Sequence, residues 1–191
     1  MHGIIVKGLK DYVVATYDWT TWRTVQDQAD VERRLYTPVA QYPDRHGTEL
    51  AATTRSLTGA SEEELQFDVG RHLVPSLMQV YGVHVSGVDS GLDVLARADA
   101  VIETALRRKH LEDVIPPRVE GERRDEDTVV VRYGGDHCAG LRGVAVGVGE
   151  HYGEAYTVTE RACRHDGDDR CEFVVRRSAA PTDGGLTASA D

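Results

Sequence analysis

Residues 115–118 read Ile-Pro-Pro-Arg, and the spacing of apolar residues differs on the two sides of that proline pair. Proline lacks a backbone N–H, and the residue before it avoids helical geometry, so a helix arriving from upstream stops there. Upstream, apolar residues recur every three or four positions, the mark of helices that bury one face. Ile4, Ile5, Leu9, Tyr12, Val13 and Thr16 predict a helix over 2–17; Trp19, Trp22 and Val25 predict a second after a break at Asp18. Beyond a loop at 42–45, a helix over 47–57 ends at Thr58-Gly59, and Ser61-Glu-Glu-Glu64 reads as a capping box for the next. That helix carries Leu65, Val69, Leu73 and Leu77, with a kink expected at Pro75. Residues 82–91 read as a loop, and 93–110 as one helix with Leu95, Ile102 and Leu106 on its stripe.

Downstream of the prolines the pattern changes. Residues 118–124 and 128–133 read as strands around an acidic turn, and 141–152 as a short helix carrying Gly143, Gly147 and Gly149. Glycines so closely spaced weaken a helix unless another backbone packs tightly against it. A second hairpin, 154–163 with 171–176, turns through Asp166-Gly-Asp-Asp169. The order is an α-rich half followed by ββαββ, an α+β architecture with an antiparallel sheet. One domain is expected over 1–177, helical to about 115, with 178–191 a disordered tail that has nothing to bury.

Composition narrows the function. A net charge of −10 argues against nucleic acid or an anionic membrane as partner, since phosphate binding needs clustered Lys and Arg. No run approaches the roughly 18 apolar residues of a membrane helix, and the N-terminal stretch carries charges and lacks a leader's cleavage site. With three cysteines, an odd count, the expectation is a cytoplasmic protein with free thiols.

Those cysteines carry the sharpest chemical signal. Cys163 and Cys171 are symmetric about Gly167, so a turn centred there sets them opposite each other, with Cβ atoms about 4.5–5.5 Å apart. That separation suits a shared tetrahedral zinc and is marginal for a disulfide. His165 falls on the same face if the strand persists, and Cys138 follows His137 at the start of the glycine-bearing helix. If that helix start packs over the hairpin, three sulfurs and an imidazole converge; otherwise the thiols are buried apolar groups, or Cys163 and Cys171 form a reversible disulfide. The acidic turn Asp166, Asp168, Asp169 lacks the spacing and final glutamate of a calcium loop and reads as a polar turn with Gly167 left-handed. No nucleotide-binding, nucleophile-elbow or zinc-protease motif is present, and nothing points to an enzyme.

The chain also resembles the heme-NO/oxygen-binding (H-NOX) family across residues 1–176. The resemblance is carried by MHGIIVKGLKDYV at the start, Val69-Gly-Arg-His72, Ile115-Pro-Pro-Arg-Val119, Gly143-Val-Ala-Val-Gly-Val-Gly-Glu-His-Tyr152 and Asp166-Gly-Asp-Asp-Arg-Cys171, in that order. It implies a heme held between the two halves, ligated by a histidine on the helix before the prolines and gripped by a Tyr-x-Ser-x-Arg motif. This sequence departs from both anchors. Thr104 stands at the ligand position, and a hydroxyl of that kind is a poor ligand for heme iron. His110 lies six residues on, about 240° around the helix. Tyr133 is kept, but Gly135 and His137 replace serine and arginine, and a mostly neutral His does not replace the bidentate guanidinium. The resemblance further implies a zinc site in which Cys138, Cys163 and Cys171 are three ligands and Glu160 takes the fourth place by register, with His137 or His165 as substitutes. The function so implied is a non-enzymatic sensory module with a degenerate heme site and a structural or redox-sensitive zinc, signalling in trans to a partner of kinase or cyclase type. The alternatives are an NO/O₂ sensor with a nonstandard heme ligand such as His84, or a carrier of an apolar small molecule in the same cavity.

Overall fold

The computed structural model describes residues 2–32, 35–108 and 118–178. The proline pair, His110 and residues 179–191 of the expected tail lie outside the described residues. Helix α1 (Gly3–Thr16) starts at His2, whose imidazole caps the Ile4 N–H, and buries Ile4, Val6, Leu9, Tyr12 and Val13. Val6 is 1% exposed and Ile5 41%, so the inward stripe runs through 6 rather than 5. Helix α2 (Trp19–Gln28) begins at the break expected at Asp18, whose carboxylate accepts from Thr21 N at 2.6 Å. Helix α3 (Asp44–Thr58) opens three residues earlier than its apolar residues suggest and ends on Gly59 with φ 76°.

Helix α4 (Glu62–Tyr81) begins with the capping box read in the sequence: Glu64 N donates to Ser61 Oγ at 3.2 Å, and Ser61 N to Glu64 Oε2 at 2.8 Å. Ser61→Ala removes one half of that exchange and is expected to lower stability by ~1 kcal/mol, a fall of ~2–4 °C in the unfolding midpoint for a chain of this size. The helix continues through Pro75. Proline offers no N–H to the Arg71 carbonyl, and it is this oxygen that Gly147 of the neighbouring helix approaches.

The region read as a loop after α4 contains a 3₁₀ turn (Gly82–Val85). The segment read as one helix is two, α5 (Gly91–Ala96) and α6 (Ala98–Arg108), interrupted at Arg97 with φ −116° and ψ 20°. Just before the break the Leu95 carbonyl lies against Gly121 so closely that a side chain there has no room. Contact with the sheet therefore ends α5 where the apolar period alone would continue it.

The second half is β1 (Val119–Arg123), β2 (Thr128–Tyr133), α7 (Cys138–His151), β3 (Tyr156–Ala162) and β4 (Cys171–Arg177). The strands form one antiparallel sheet in the order β1-β2-β4-β3. Ser178 is still tied to the sheet, its N–H donating to Ala155 O at 2.8 Å. Two cores result. One lies among α1, α2 and α3 with Leu65 of α4, and includes Val13, Trp22, Val25 and Leu50. The other lies between the sheet, α5 and α7, around Leu92, Val129, Cys171, Phe173 and Val175. Helix α7 sits between the sheet and α4 and is pressed hard against α4. A methyl at Gly143 would fall far inside 3.0 Å of the Phe67 carbonyl oxygen, and one at Gly70 inside the same limit of the Gly140 carbonyl. The close-packing condition attached to those glycines is met.

Candidate metal centre

Cys138 is the first residue of α7, set there by His137 in the N-cap position. Cys171 is the first residue of β4 and stands opposite Tyr133, the last residue of β2. Cys163 follows β3, and a bulge decides its place. Along most of the hairpin Tyr156 pairs with Arg177 and Glu160 with Phe173, but after the irregularity Ala162 pairs with Glu172. Continuing that shifted register sets Cys163 level with Cys171. The 3₁₀ turn at Arg164–Asp166 closes on Gly167 with φ 103°, a left-handed conformation open to glycine. The acidic turn spends Asp168 on the backbone: Cys163 N donates to Asp168 Oδ2 at 2.9 Å.

The three sulfurs converge. Cys163 Sγ lies 4.0 Å from Cys138 Sγ, and all three lie within 4.8 Å of one another. Zinc–sulfur bonds of about 2.3 Å at tetrahedral angles set sulfurs about 3.8 Å apart, so the cluster is close to that span. All three are free thiols; Cys138 and Cys171 are buried and Cys163 is half-buried. Burial, then the neighbouring Cys171 and Cys163 sulfurs, pushes the Cys138 thiol well above the ordinary range. The Glu160 carboxylate, then burial, pushes Cys163 up. Crowded thiols without a cation hold their protons, and a divalent metal reverses this by deprotonating them outright. Arg164 N donates to Cys171 Sγ at 3.5 Å, an outer contact that fixes this sulfur's place in the cluster.

His165 takes a different place from the one read in the sequence. It is exposed, with Nε2 3.0 Å from the Asp136 carbonyl oxygen, and the close sulfur group does not extend to its ring. His137 is exposed beside it. Arg142, one turn after Cys138 on α7, is the participant the sequence did not single out: it reaches Glu160 at 3.5 Å and pairs with Glu63 of α4. Its position four residues after Cys138 was the available signal.

The cofactor positions implied by resemblance lie elsewhere. Thr104 is half-buried on α6, and α6 carries no His, Cys, Met or Tyr. Tyr133 is buried, and its hydroxyl occupies the space of a side chain at 135: a methyl on Gly135 would collide with it. The His137 backbone hydrogen-bonds this phenol, while burial pushes its ionisation up. With residue 135 reduced to glycine, the phenol folded over it and His137 in solvent, these residues do not fit a propionate cradle. His84 lies in the 3₁₀ turn after α4, and its Nδ1 is buried without a hydrogen-bond partner. A groove of about 550 Å³ opens at the end of α4 between Met78, Val85, Val88 and Tyr152; Thr104 and Tyr133 do not line it.

A family model described as Haem-NO-binding matches residues 2–160. The chain belongs to the haem-NO-binding family. Solved H-NOX proteins share its fold. One from S. oneidensis, in the Fe(II)NO state, is 19% identical, covering 94% of this chain and 100% of that one at a TM-score of 0.81. One from K. algicida, unliganded Fe(II), is 16% identical over 95% and 98% at 0.76. An oxygen-binding H-NOX domain related to soluble guanylate cyclases is 18% identical over 94% and 96% at 0.76. No curated protein matches the sequence. The α+β architecture expected from the residues is therefore the H-NOX fold. Among the described residues no helix is long and apolar enough to cross a membrane.

Proposed function

We propose that this chain is a non-enzymatic sensory module of the H-NOX fold that has given up the family's heme anchors and holds a zinc ion at Cys138, Cys163 and Cys171. The observation that carries the reading is the convergence of three thiols from α7, the hairpin turn and β4 within 4.8 Å. Soft thiolates in that arrangement select zinc over harder cations. Thr104 on α6 and the Tyr133 phenol folded over Gly135 support the first half of the reading, because neither iron nor propionates find their usual partners there. A module without catalytic groups passes its state on through protein contacts, and a kinase- or cyclase-type partner in trans suits that role. The free thiols suit a reducing cytoplasm. The test is a UV–visible spectrum with elemental analysis of the purified protein. About one equivalent of zinc and no Soret band is the expected result. Stoichiometric heme overturns the first half of the reading, and absence of zinc overturns the second.

His84 favours one other reading, a heme sensor with a nonstandard ligand, because its buried Nδ1 lacks a partner. That reading requires a Soret band that His84→Ala abolishes. A third, a carrier of an apolar molecule, requires an unexpected organic mass in native mass spectrometry.

A further inference from the structure

The antiparallel sheet has two faces. Alternation along the strands turns Val129, Val131, Phe173 and Val175 inward, to the core shared with α5 and α7. The residues between them point the other way, and the strand register arranges them in rows. In one row Glu120 of β1 stands beside Arg132 of β2, and Arg132 beside Glu172 of β4. The β3 bulge sets its extra residue, Arg161, next to Glu172 at the far edge. Across the sheet the charges therefore alternate: Glu, Arg, Glu, Arg. The next row is Glu122, Val130, Val174 and Thr159, with Thr128, Arg176 and Thr157 beyond it. Arg132 is held on both sides, by Glu122 at 2.8 Å and Glu172 at 3.0 Å. The two ends of the charged row are not. Glu120 has one exposed pair, 3.5 Å from Arg170, and Arg161 is exposed with no ion pair among the described residues.

We propose that this outer face is the interface of a two-fold dimer, the partner being a second copy of this chain. A two-fold axis between β2 and β4, parallel to the strands and midway between two facing sheets, reverses the strand order of the copy. β1 then lies over the partner's β3, and β2 over the partner's β4. An isologous contact pairs residue i with j and j with i. The alternating row is self-complementary under that operation: Glu120 faces the partner's Arg161, Arg132 faces the partner's Glu172, and the reciprocal pairs repeat both. An axis laid across the strands sets like charge over like, so the charges select one arrangement. In the neighbouring row Val130 meets the partner's Val174 and supplies an apolar centre. Facing sheets with strands within about 30° of each other are an ordinary packing. The Arg132 and Glu172 side chains are 18% and 29% exposed, so their further desolvation is small. Four strands about 4.8 Å apart and three rows make a face about 19 Å by 20 Å. That is below the ~800 Å² per partner of a standard interface, and a weak, reversible dimer is expected. The dimer requires no metal and stands or falls apart from the zinc site.

The test is sedimentation equilibrium of the whole reduced chain from about 1 to about 500 μM, the range in which small interfaces dissociate. A concentration-dependent monomer–dimer equilibrium is expected. Arg161→Glu sets a carboxylate against the partner's Glu120 at both ends of the row and is expected to weaken the dimer at least about tenfold; Glu120→Arg is expected to do the same. The double variant Arg161→Glu with Glu120→Arg restores opposite charges and is expected to recover most of the wild-type association. Within one chain the two positions lie on opposite edges of the sheet, three strand spacings or about 14 Å apart. Exposed charges that far apart are largely screened at physiological salt, so recovery reports a contact between copies. Both side chains are exposed, and circular dichroism confirms that each variant folds. A chain that stays monomeric to the top of the range overturns the proposal and leaves the face to a protein of another kind. A dimer that either single variant leaves unchanged, or that the double variant fails to recover, has its contact elsewhere and overturns it equally.

Discussion

Stripping zinc from the reduced protein with a strong chelator is expected to lower its unfolding midpoint by ~8–16 °C. A ligand that binds only the folded chain stabilises it by RT ln(1 + [L]/Kd), about 4 kcal/mol when free zinc exceeds Kd a thousandfold. Each kcal/mol moves the midpoint of a domain this size by ~2–4 °C. The folded chain is the binding form because its three sulfurs come from separate elements: the start of α7, the turn after β3 and the start of β4. In the unfolded chain nothing holds Cys138 near the other two. Cys138→Ser is the internal control. It should lower the midpoint in the presence of zinc and remove most of the response to chelator. Calorimetry with and without chelator, at fixed reductant, makes the comparison. If zinc leaves the wild type and its midpoint stays where it was, the metal has no structural role.

How much of this was legible in the sequence differs by element. The capping box at Ser61 and the break at Asp18 were readable because a cap is a local exchange of hydrogen bonds among residues three apart. The α+β order was readable because the apolar period changes across the proline pair. The division of 93–110 into α5 and α6 was not: the cause is the Leu95 carbonyl meeting Gly121, a contact between residues far apart in sequence. Ile5 illustrates the same limit at smaller scale, since a three-and-four spacing fits Ile5 and Val6 almost equally and only the neighbouring helices decide between them.

The candidate site divides likewise. The symmetry of Cys163 and Cys171 about Gly167 gave the correct neighbours, although it concealed the bulge that makes the symmetry hold. Cys138 was found from its place at a helix start. Arg142 was passed over because a lone arginine on a helix reads as a solvated charge, and its two carboxylate partners come from β3 and α4. For the cofactor positions, the residue types at Thr104, Gly135 and His137 could be read directly. That the Tyr133 phenol lies in the space of a residue-135 side chain is a matter of rotamer, which residue identity does not specify.

The second large effect is expected at the α4–α7 contact, where Gly143→Ala should lower stability by about 3 kcal/mol and the midpoint by ~6–12 °C. Two opposing terms decide the sign. In a helix interior alanine is favoured over glycine by about 1 kcal/mol, which alone would stabilise α7. Against this, the new methyl falls on the Phe67 carbonyl oxygen, with the carbonyl carbon also inside 3.0 Å. A crowded side chain turns away, but a helical carbonyl moves only with its helix, so α7 and α4 must separate. Separation loosens the Arg71–Glu150 and Arg142–Glu63 ion pairs that join the two helices, and it withdraws packing from both cores. Overpacking of this kind commonly costs 1–3 kcal/mol and more where the obstacle is rigid, so the contact outweighs the propensity. Gly70→Ala, which meets the Gly140 carbonyl from the other side, should behave the same way. Gly82→Ala supplies the contrast: its φ is −58° and the nearest obstacle, Met78 Cβ, is 4.0 Å away. There the reduced freedom of the unfolded chain dominates, and a gain of about 0.4–1 kcal/mol is expected. Urea unfolding of the three variants beside the wild type measures all of these, and equal midpoints for Gly143→Ala and Gly82→Ala would show that α7 has room the close contacts deny.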